Sequence, residues 1–422
     1  MQAFSTRYRI LWGGLAICAG AALSLLRSRG PGSLNSVWIE DAQVFLNDAL
    51  TDTLRHNLFK SLNGYYHIGP RVLAEIVSLF PVSWSAVLLS TSAALITASY
   101  GAIAYTAGGQ FIEQWWLRLF VAAPVVLLPL ARTQADNDVA TLQFPGLYAL
   151  FWLMLWRPAS KTGQVVAVGA TAFIAFSSII PAVLAPLAIW RLWKMREWFV
   201  PLAYFAGMGL HFLGLALGKA SRSHVCCQRY DPVWVLNEYV TWLVPRALLG
   251  ERWLGGPGVE PSGNPVTPTP APNIALIVLA WAIVLAAIAC ALTKVTRPHW
   301  PLAAAALGFS LVLFAAITNS GFPQPRYLIA PALLFYVALA AVLRPHKSAW
   351  PAIGVIAVLS VAVIFNFRVD NGRTTTWPWD QVVRNAQAAC ADPALQEYVQ
   401  PGRDSTWWHS TIPCERVRNR AQ

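Results

Sequence analysis

The stretch NIALIVLAWAIVLAAIACALT, residues 273–293, contains no charged side chain. As an α-helix, these twenty-one residues would extend about 31 Å, which matches the thickness of the hydrocarbon core of a bilayer. The Pro- and Gly-rich segment GGPGVEPSGNPVTPTPAP (255–272) precedes the stretch, and Lys294 and Arg297 follow it. The stretch therefore predicts a transmembrane helix with a sharp beginning and end.

Similar apolar segments recur along the whole chain. Of its 422 residues, 56% are hydrophobic and 12% are charged, a charged share well below that of ordinary soluble domains. The segments predicted to span the membrane are 10–26, 82–107, 116–131, 139–156, 164–179, 181–192, 198–218, 273–293, 298–318, 326–343 and 349–367. We therefore predict an all-α, polytopic transmembrane protein with about eleven spans.

The distribution of basic residues predicts the orientation. The formal net charge is +12, but the cations occur in short groups between apolar segments, so they indicate membrane topology and not a nucleic-acid partner. With the N-terminus in the cytoplasm, the cytoplasmic connections contain only two acidic residues, Glu113 and Glu197. They contain these cations: Arg7, Arg9, Arg118, Arg157, Lys161, Arg191, Lys194, Arg196, Lys294, Arg297, Arg344 and Lys347. This excess predicts a plasma or inner-membrane protein whose C-terminal segment lies outside.

Two segments leave the number of spans open. Pro181 and Pro186 interrupt a single apolar run, which could form two short spans or one long tilted helix that would place the C-terminus inside. The first apolar segment could be a signal peptide, but Arg27 and Arg29 follow it directly and no small-residue cleavage pattern is present. We therefore expect the first segment to be retained as a span.

This topology divides the chain into a transmembrane domain, residues 1–367, and an extracytoplasmic C-terminal segment, residues 368–422. Two outside loops, 27–81 and 219–272, are longer than connectors need to be, so function is expected there. In the first loop, VWIEDAQVFLNDAL (37–50) has helical spacing and predicts an interfacial helix. A second such stretch is 233–254. Cys390 and Cys414 share the outside segment, where a disulfide is expected.

The first loop carries the main candidates for chemistry. Glu40 and Asp41 are adjacent carboxylates near an apolar interface, where a raised pKa would suit a general base, although both could simply face water. Downstream, GYYHIGPR (64–71) offers Tyr65, Tyr66 and His67 for sugar binding and Arg71 for charge. The alternative is an interfacial anchor in which Arg71 reaches toward the headgroups.

Two shorter outside connections carry further polar candidates. Arg132, Asp136 and Asn137 belong to RTQADND (132–138), close to the end of the third span, and ionisable groups at that depth are functional candidates. In NSGFPQPRY (319–327), Arg326 and Tyr327 begin the tenth span, and a guanidinium there could bind a phosphate. The alternatives are an ion pair that closes a loop and a contact with a phospholipid headgroup.

An acidic pair soon after the first span, a large first outside loop and about eleven spans together resemble the GT-C superfamily of membrane glycosyltransferases. More narrowly, Glu40-Asp41 followed by GYYHIGPR, and a tail with Trp379, Trp407, Trp408 and its two cysteines, resemble actinobacterial-type members. The resemblance implies a polyprenyl-phosphate sugar donor and an extracytoplasmic glycan, lipid or protein acceptor. It also implies Glu40 or Asp41 as the catalytic base, with Arg71, Arg132 and Arg326 holding the leaving phosphate. Neither the sugar nor the need for a divalent cation follows from it.

Two other functions compete with this one. A transporter of lipid-linked sugars would need ionisable groups near the middle of the membrane, and the longest apolar segments contain none. A polysaccharide polymerase or ligase would use the second loop, where Arg222, His224, Arg229 and Arg246 lie. Phosphate-binding glycine loops, zinc motifs and GxSxG are absent from the sequence, which disfavours nucleotide hydrolysis and zinc chemistry.

Overall fold

The computed structural model describes residues 2–130, 137–219, 231–254, 272–318, 325–368, 372–403 and 408–418. Within these ranges, four helical stretches are both long enough and apolar enough to cross a membrane: Val82–Gly108, Phe199–Ala216, Ile274–Leu292 and Pro325–Val342. Shorter apolar helices are Ile10–Leu25, Trp115–Leu127, Gln143–Leu155, Trp300–Ala316 and Trp350–Phe365. The predicted helical character is confirmed, and the composition of these helices is that of a membrane protein.

The regular elements follow the predicted apolar segments closely. The α-helices are α1 Gln2–Leu25, α2 Asn47–Thr51, α3 Leu54–Leu58, α4 Ile68–Ser78, α5 Ser85–Gly108, α6 Trp115–Ala122, α7 Pro124–Leu127, α8 Gln143–Leu155, α9 Lys161–Ser177, α10 Ala185–Trp190, α11 Phe199–Ala216, α12 Pro232–Glu238, α13 Val244–Leu249, α14 Ile274–Leu292, α15 Trp300–Thr318, α16 Ile329–Val342, α17 Trp350–Phe365, α18 Trp379–Ala389 and α19 Glu415–Arg418. Wider π-helical turns, Asp41–Leu46, Arg191–Met195 and Tyr239–Leu243, adjoin α2, α10 and α12. Short 3-10 segments are Ser33–Asn35, Val82–Trp84, Ile180–Leu184, Pro325–Leu328 and Gly372–Thr374.

Two helices form the centre of the bundle. Every residue of α8 and of α16 is buried, whereas α14 buries only four of its residues. An apolar helix that is buried on all sides is typical of the interior, and an apolar helix with an exposed surface is typical of contact with lipid. The centre of the bundle therefore fixes the position of the chain segments that lead directly into α8 and α16.

One end of the bundle gathers the connections that were predicted to be cytoplasmic. The Arg344 guanidinium lies 3.3 Å from Glu113 Oε1, and the backbone carbonyl of Arg344 accepts from the Arg297 amide at 2.8 Å. The Gln110 side-chain amide donates to the Arg157 carbonyl at 2.8 Å. We call this the Arg344 end, and the opposite end, which holds the first loop, the Glu40 end.

The ambiguous run before Arg191 turns back on itself. Helix α9 ends at Ser177, and the chain then continues through Ile180–Leu184 into α10. The Arg191 guanidinium donates to the carbonyls of Leu153 and Trp156, at 2.7 and 2.6 Å. Because α9 begins just after Trp156, Arg191 has returned to the Arg344 end. The run therefore folds as an outgoing and a returning segment, not as one long helix.

The first loop is not laid out as an exposed interfacial helix. Its helical segment, Asp41–Leu46 continued by α2, buries Phe45 and Leu46 and also the carboxylates of Asp41 and Asp48. The C-terminal segment and α4 pack over its apolar face, so this helix is covered by protein, and its position on or just under the membrane interface stays a prediction.

The C-terminal segment docks on the first loop. The Trp379 indole N–H donates to the Val82 carbonyl at 2.8 Å, and the Asn35 side-chain amide donates to Asp380 Oδ1 at 2.7 Å. The chain also approaches Gly30 so closely that a Cβ there would lie 2.6 Å from the Thr374 carbonyl oxygen, and Gly30 has a positive φ of 65°. The loop and the tail therefore form one unit at the same end of the bundle.

The tail also contains a small sheet that the all-α prediction did not include. Strands β1, Glu397–Pro401, and β2, His409–Pro413, pair antiparallel with Glu397 opposite Pro413. Cys390, at the end of α18, forms a disulfide with Cys414 immediately after β2. The disulfide therefore joins the hairpin to α18, which itself packs on the first loop.

Candidate active site

Glu40 is brought next to Arg326 at the Glu40 end of the bundle. The Arg326 Nη1 lies 3.2 Å from Glu40 Oε1, and the two side chains are 17% and 13% exposed. The other carboxylate oxygen, Glu40 Oε2, is buried and has no hydrogen-bond partner among the described residues. A charged pair of this kind needs fixed geometry to offset its desolvation, and the unpaired oxygen can accept a hydrogen bond from a ligand.

Asp41 makes different contacts although it is the next residue in the chain. Its Oδ2 accepts from the Val139 amide at 2.9 Å, and its Oδ1 accepts from the Ala140 amide at 3.0 Å. The residue is 1% exposed. Burial, together with the nearby charge of Asp138, raises the pKa of Asp41, although the two amides and the Arg373 guanidinium act in the opposite direction. Asp41 thus fixes the first loop to the segment that leads into α8.

Asp138 is a second buried carboxyl in this region. Its Oδ1 accepts from the Thr141 amide at 2.9 Å and also from the Thr141 hydroxyl. Burial raises the pKa of Asp138 to about 7; the Arg373 guanidinium opposes that rise, and the Glu40 charge adds to it. Since the charges of Asp41 and Asp138 repel each other in a poorly solvated site, a proton is retained on this pair near neutral pH.

Two arginines that the sequence analysis did not select hold these segments together. Arg373 donates to the Ser36 carbonyl at 2.7 Å and to the Asn137 carbonyl at 2.6 Å, so it connects the tail, the first loop and the approach to α8. Arg27 donates to the Val126 carbonyl and, at 2.5 Å, to the Leu128 carbonyl at the end of α7. Both are buried. The sequence signal that could have identified them is their position shortly after the first and the last predicted spans.

Asn137, one of the predicted substrate-binding residues, is buried in this network. Its Oδ1 accepts from the Ser24 hydroxyl at 2.7 Å, and its Nδ2 donates to Ser33 Oγ at 3.0 Å. Its φ is 60°, a left-handed conformation that Asn tolerates better than most residues. Arg132 and Asp136, predicted for the phosphate and the substrate, lie outside the described residues.

A small cavity with both polar and apolar lining lies beside Asp138. Its volume is about 30 Å³, which is enough for about two water molecules and too small for a sugar ring. Its polar lining comes from Ser24, Arg27, Asn137, Asp138 and Thr141. The cavity is therefore suited to hydration of the buried carboxyl and not to substrate binding.

Arg326 and Tyr327 lie where the chain enters the central helix α16. The Arg326 guanidinium carbon is 5.7 Å from the centre of the Tyr327 ring, and that ring meets Phe144 edge-on with a centroid distance of 5.3 Å. Pro325–Leu328 begins the buried span, so the positive end of the helix dipole lies near the same guanidinium. Together these features favour an anion at this point.

The aromatic group of the first loop is enclosed by packing. Tyr65 stacks on His67 with a centroid distance of 4.4 Å, and its hydroxyl donates to Gln143 Oε1 at 3.1 Å. Tyr66 stacks on His211 of α11 with a centroid distance of 6.0 Å. All three loop side chains are buried, so the structure uses them to hold the loop against α8 and α11. Burial and the Arg71 charge lower the pKa of His67 to about 3, so this ring stays neutral.

Arg71 is also held within the loop. Its Nη1 donates to Asp48 Oδ2 at 2.8 Å and to the Asn57 side-chain oxygen, and its guanidinium carbon is 5.4 Å from the centre of the Phe45 ring. The residue is fully buried. Among the described residues, the hydrogen bonds of Arg71 go to Asp48 and Asn57, and none joins it to Glu40.

Comparisons with protein-family models, with curated proteins and with solved structures found no match to this chain. Within the described ranges, no three His, Cys, Asp or Glu side chains are grouped as they would be around a metal ion. The site is therefore characterised by its own geometry: an ion pair with one unpaired oxygen, beside a buried carboxyl network.

Proposed function

We propose that this protein is a multi-pass membrane glycosyltransferase that moves a sugar from a polyprenyl-phosphate donor to an acceptor outside the plasma or inner membrane. The observation that carries the proposal is the Glu40–Arg326 pair, with one carboxylate oxygen on the guanidinium and the other without a partner among the described residues. A proton acceptor and a fixed cation at one point are what this transfer requires.

In the proposed reaction, the acceptor hydroxyl gives its proton to Glu40 as its oxygen attacks the anomeric carbon. The bond between that carbon and the phosphate oxygen breaks, and the lipid phosphate leaves with the electron pair. Arg326 stabilises the charge that develops on the phosphate. A single displacement of this kind inverts the configuration of the anomeric carbon.

The choice of Glu40 over Asp41 rests on their hydrogen bonds. Burial raises the pKa of Asp41, but both of its oxygens already accept from backbone amides, so neither is left without a partner for an acceptor hydroxyl. Among the described residues, the Glu40 side chain pairs with Arg326 through one oxygen, and its other oxygen has no hydrogen-bond partner. When a donor phosphate draws the guanidinium away, Glu40 is released from its ion pair and both of its oxygens can face the acceptor hydroxyl. Donor binding would therefore activate the base.

A long apolar groove supports the choice of a polyprenyl carrier. It has a volume of about 670 Å³ and lies between helices α6 and α7 on one side and α17 on the other. Trp116, Phe120 and Leu127 line one wall, and Ile356 and Val363 line the other. The segment 124–130 contributes to this groove and to the polar cavity beside Asp138, so a lipid chain in the groove would have its head near the site.

The arrangement of the chain ends supports the proposed topology of about eleven spans. The predicted cytoplasmic connections meet at the Arg344 end, and the first loop meets the tail at the Glu40 end. Since a loop and a tail that touch must lie on one side of a membrane, an even number of crossings separates them. The return of the chain at Arg191 supports the proposal that the run 164–192 crosses twice.

The decisive experiment measures sugar transfer by purified protein from a panel of polyprenyl-phosphate sugars, with donor binding measured separately. Glu40→Gln should bind donor but lose transfer by about 10² to 10⁴-fold, as expected when a general base is removed. The matched control is Glu113→Gln, because Glu113 also pairs with an arginine, Arg344, but at the opposite end of the bundle. It should retain transfer.

Full transfer by Glu40→Gln would contradict the proposal. In that case the polymerase or ligase function would lead, since it depends on the second outside loop and not on Glu40. In that loop, Arg222, His224 and Arg229 lie outside the described residues, and Arg246 is buried with its guanidinium carbon 5.1 Å from the centre of the Trp242 ring.

A further inference from the structure

A shallow groove separates the C-terminal hairpin from the first loop. Its volume is about 70 Å³. One wall belongs to the first loop, through Val37, Ile39 and Ala42. The other wall belongs to the tail and consists of Thr376, Trp377, Trp379, Val382, Gln400, Pro401, Gly402, Arg403, Trp408, His409 and Ser410. Three indole rings thus line a groove that the proposed catalytic step does not use.

Two of the three indole rings, those of Trp377 and Trp379, are held in place by hydrogen bonds at their polar edges. The Trp377 N–H donates to the Pro401 carbonyl at 3.1 Å, and the Trp379 N–H donates to the Val82 carbonyl at 2.8 Å. Trp379 is buried, whereas Trp377 and Trp408 are half-buried and present part of their surface to the groove. A ring whose orientation is fixed in this way loses little conformational entropy when a ligand stacks on it.

Polar groups lie beside these rings. Arg403 is exposed, and its guanidinium carbon is 5.4 Å from the centre of the Trp377 ring. His409 is exposed and Ser410 is half-buried on the first two positions of β2. Within the described residues, the lining contains no carboxylate. Flat apolar faces with hydrogen-bond donors nearby fit the C–H face and the hydroxyl groups of a sugar ring. Since the Arg403 guanidinium lies over one face of Trp377, a sugar would stack on the opposite face.

The position of the groove connects it to the candidate base. Ile39 and Ala42, which line it, are the residues immediately before and after the pair Glu40 and Asp41. A sugar chain lying in the groove would therefore rest against the backbone segment that carries Glu40. The disulfide between Cys390 and Cys414 keeps the hairpin, which belongs to the tail wall of the groove, close to α18.

We infer that this groove is the acceptor subsite and that it binds the sugar units of an extracytoplasmic glycan, which presents its terminal hydroxyl to Glu40. The inference rests on the proposed function and narrows its acceptor from glycan, lipid or protein to a sugar chain. The Trp377 and Trp408 rings supply stacking surfaces, and Arg403 and His409 supply hydrogen bonds to hydroxyl or carboxylate groups of the sugar.

The test uses the full-length protein in detergent and a panel of soluble linear oligosaccharides of mannose, glucose, galactose and arabinose. Saturation-transfer NMR should detect binding of at least one of them to the wild type. Trp377→Ala and Trp408→Ala should each weaken that binding by about tenfold, the loss expected when an aromatic contact is removed from a binding site. Trp377→Phe should restore part of it, because the aromatic face is kept.

Trp350→Ala is the matched control, since Trp350 is exposed at the start of α17 and lies at the Arg344 end. It should bind oligosaccharide as the wild type does. In transfer assays, Trp377→Ala should raise the KM for the acceptor while donor binding stays unchanged. Retention of the disulfide and an unchanged melting temperature would show that the tryptophan variants are folded.

The outcomes separate this inference from the proposed function. If Glu40→Gln keeps full transfer while Trp377→Ala loses oligosaccharide binding, the glycan site stands and the catalytic proposal fails. If Glu40→Gln abolishes transfer while Trp377→Ala and Trp408→Ala keep both oligosaccharide binding and the acceptor KM, the catalytic proposal stands and the groove is not the acceptor subsite. Absence of binding by the wild type to every sugar in the panel would also overturn the inference.

Discussion

Glu40 and Arg326 are 286 residues apart in the chain, yet the structure places their carboxylate and guanidinium 3.2 Å apart. Glu40 comes from the first loop and Arg326 from the start of the central buried helix. This pair joins a segment that can accept a proton to one that can bind an anion. Changes to its two members, and to the groups that position them, should therefore have different effects.

Arg326→Lys should weaken donor binding although it preserves the charge. A lysine cannot offer two parallel N–H groups to a phosphate, and loss of one charge-assisted hydrogen bond of about 1.5 to 3 kcal/mol corresponds to a roughly 10- to 150-fold weaker affinity. Arg326→Ala should be weaker still. The control is Arg344→Lys, which alters the ion pair with Glu113 at the other end. Donor affinity is measured by calorimetry. If it is equal in all three variants, Arg326 does not bind the donor phosphate.

Asp41→Asn should lower stability more than Glu40→Gln does. An asparagine side chain can accept from only one of the two amides of Val139 and Ala140, and it turns an N–H₂ group toward the other. The resulting buried mismatch costs about 1 to 3 kcal/mol. Thermal unfolding in detergent measures the difference. An Asp41→Asn variant that melts like the wild type would show that these two hydrogen bonds do not hold the first loop in place.

The stability of the protein should depend on pH through Asp138. Its pKa of about 7 in the folded protein lies above the 3.8 of the free carboxyl, so between these values the folded state holds a proton that the unfolded state has lost. The contribution of Asp138 to the free energy of unfolding is therefore fully present below about pH 4 and is lost as the pH rises through 7. Asp41, whose pKa is also raised, acts in the same direction.

Asp138→Asn should isolate this effect. His67 acts in the opposite direction below its unfolded pKa, because its pKa is lowered to about 3, but it is present in both proteins and cancels in the comparison. The melting temperature of the wild type should fall more steeply than that of the variant between pH 5.5 and 8. Parallel pH profiles of the two proteins would show that Asp138 does not titrate in this range.

Arg373→Ala should release the tail from the first loop. Arg373 is buried and donates to Ser36 and to the Asn137 carbonyl, so its removal leaves two buried carbonyls without a donor. Limited proteolysis should then cut the C-terminal segment faster than in the wild type. The control is Arg384→Ala, since Arg384 is exposed and pairs with Asp380 on the surface of α18. Equal cleavage of both variants would contradict the docking role of Arg373.

The proposed topology predicts which sites can be labelled in intact cells. A cysteine placed at Val399, which is 46% exposed in β1, should react with an impermeant thiol reagent. A cysteine placed at Glu113, at the Arg344 end, should react only after the membrane is permeabilised. The parent protein, labelled in parallel, gives the signal of its native thiols. Labelling of Val399→Cys only from the cytoplasmic side would reverse the orientation.

The candidate site was only partly accessible to sequence reasoning. Glu40, Asp41 and Arg326 were selected, but nothing in the sequence showed that Asp41 would be bound by backbone amides while Glu40 kept an unpaired oxygen. Tyr65, Tyr66 and His67 were selected as sugar ligands, and the structure encloses them against His211 and Gln143. An aromatic residue in a loop has the same local pattern whether it packs inward or faces a ligand, so the sequence could not separate these cases.

The amino-acid sequence alone determined that this protein consists of apolar helices and where most of them begin and end, because chain length, side-chain polarity and charge act locally. The sequence also placed the disulfide partners, Cys390 and Cys414, in one short polar segment. Only the tertiary structure decided that the chain turns back before Arg191, that the tail packs on the first loop, and that Arg326 meets Glu40 and not Asp41. Those outcomes depend on contacts between residues far apart in the chain, whose free energies are set by burial and hydrogen-bond geometry and leave no local pattern in the sequence.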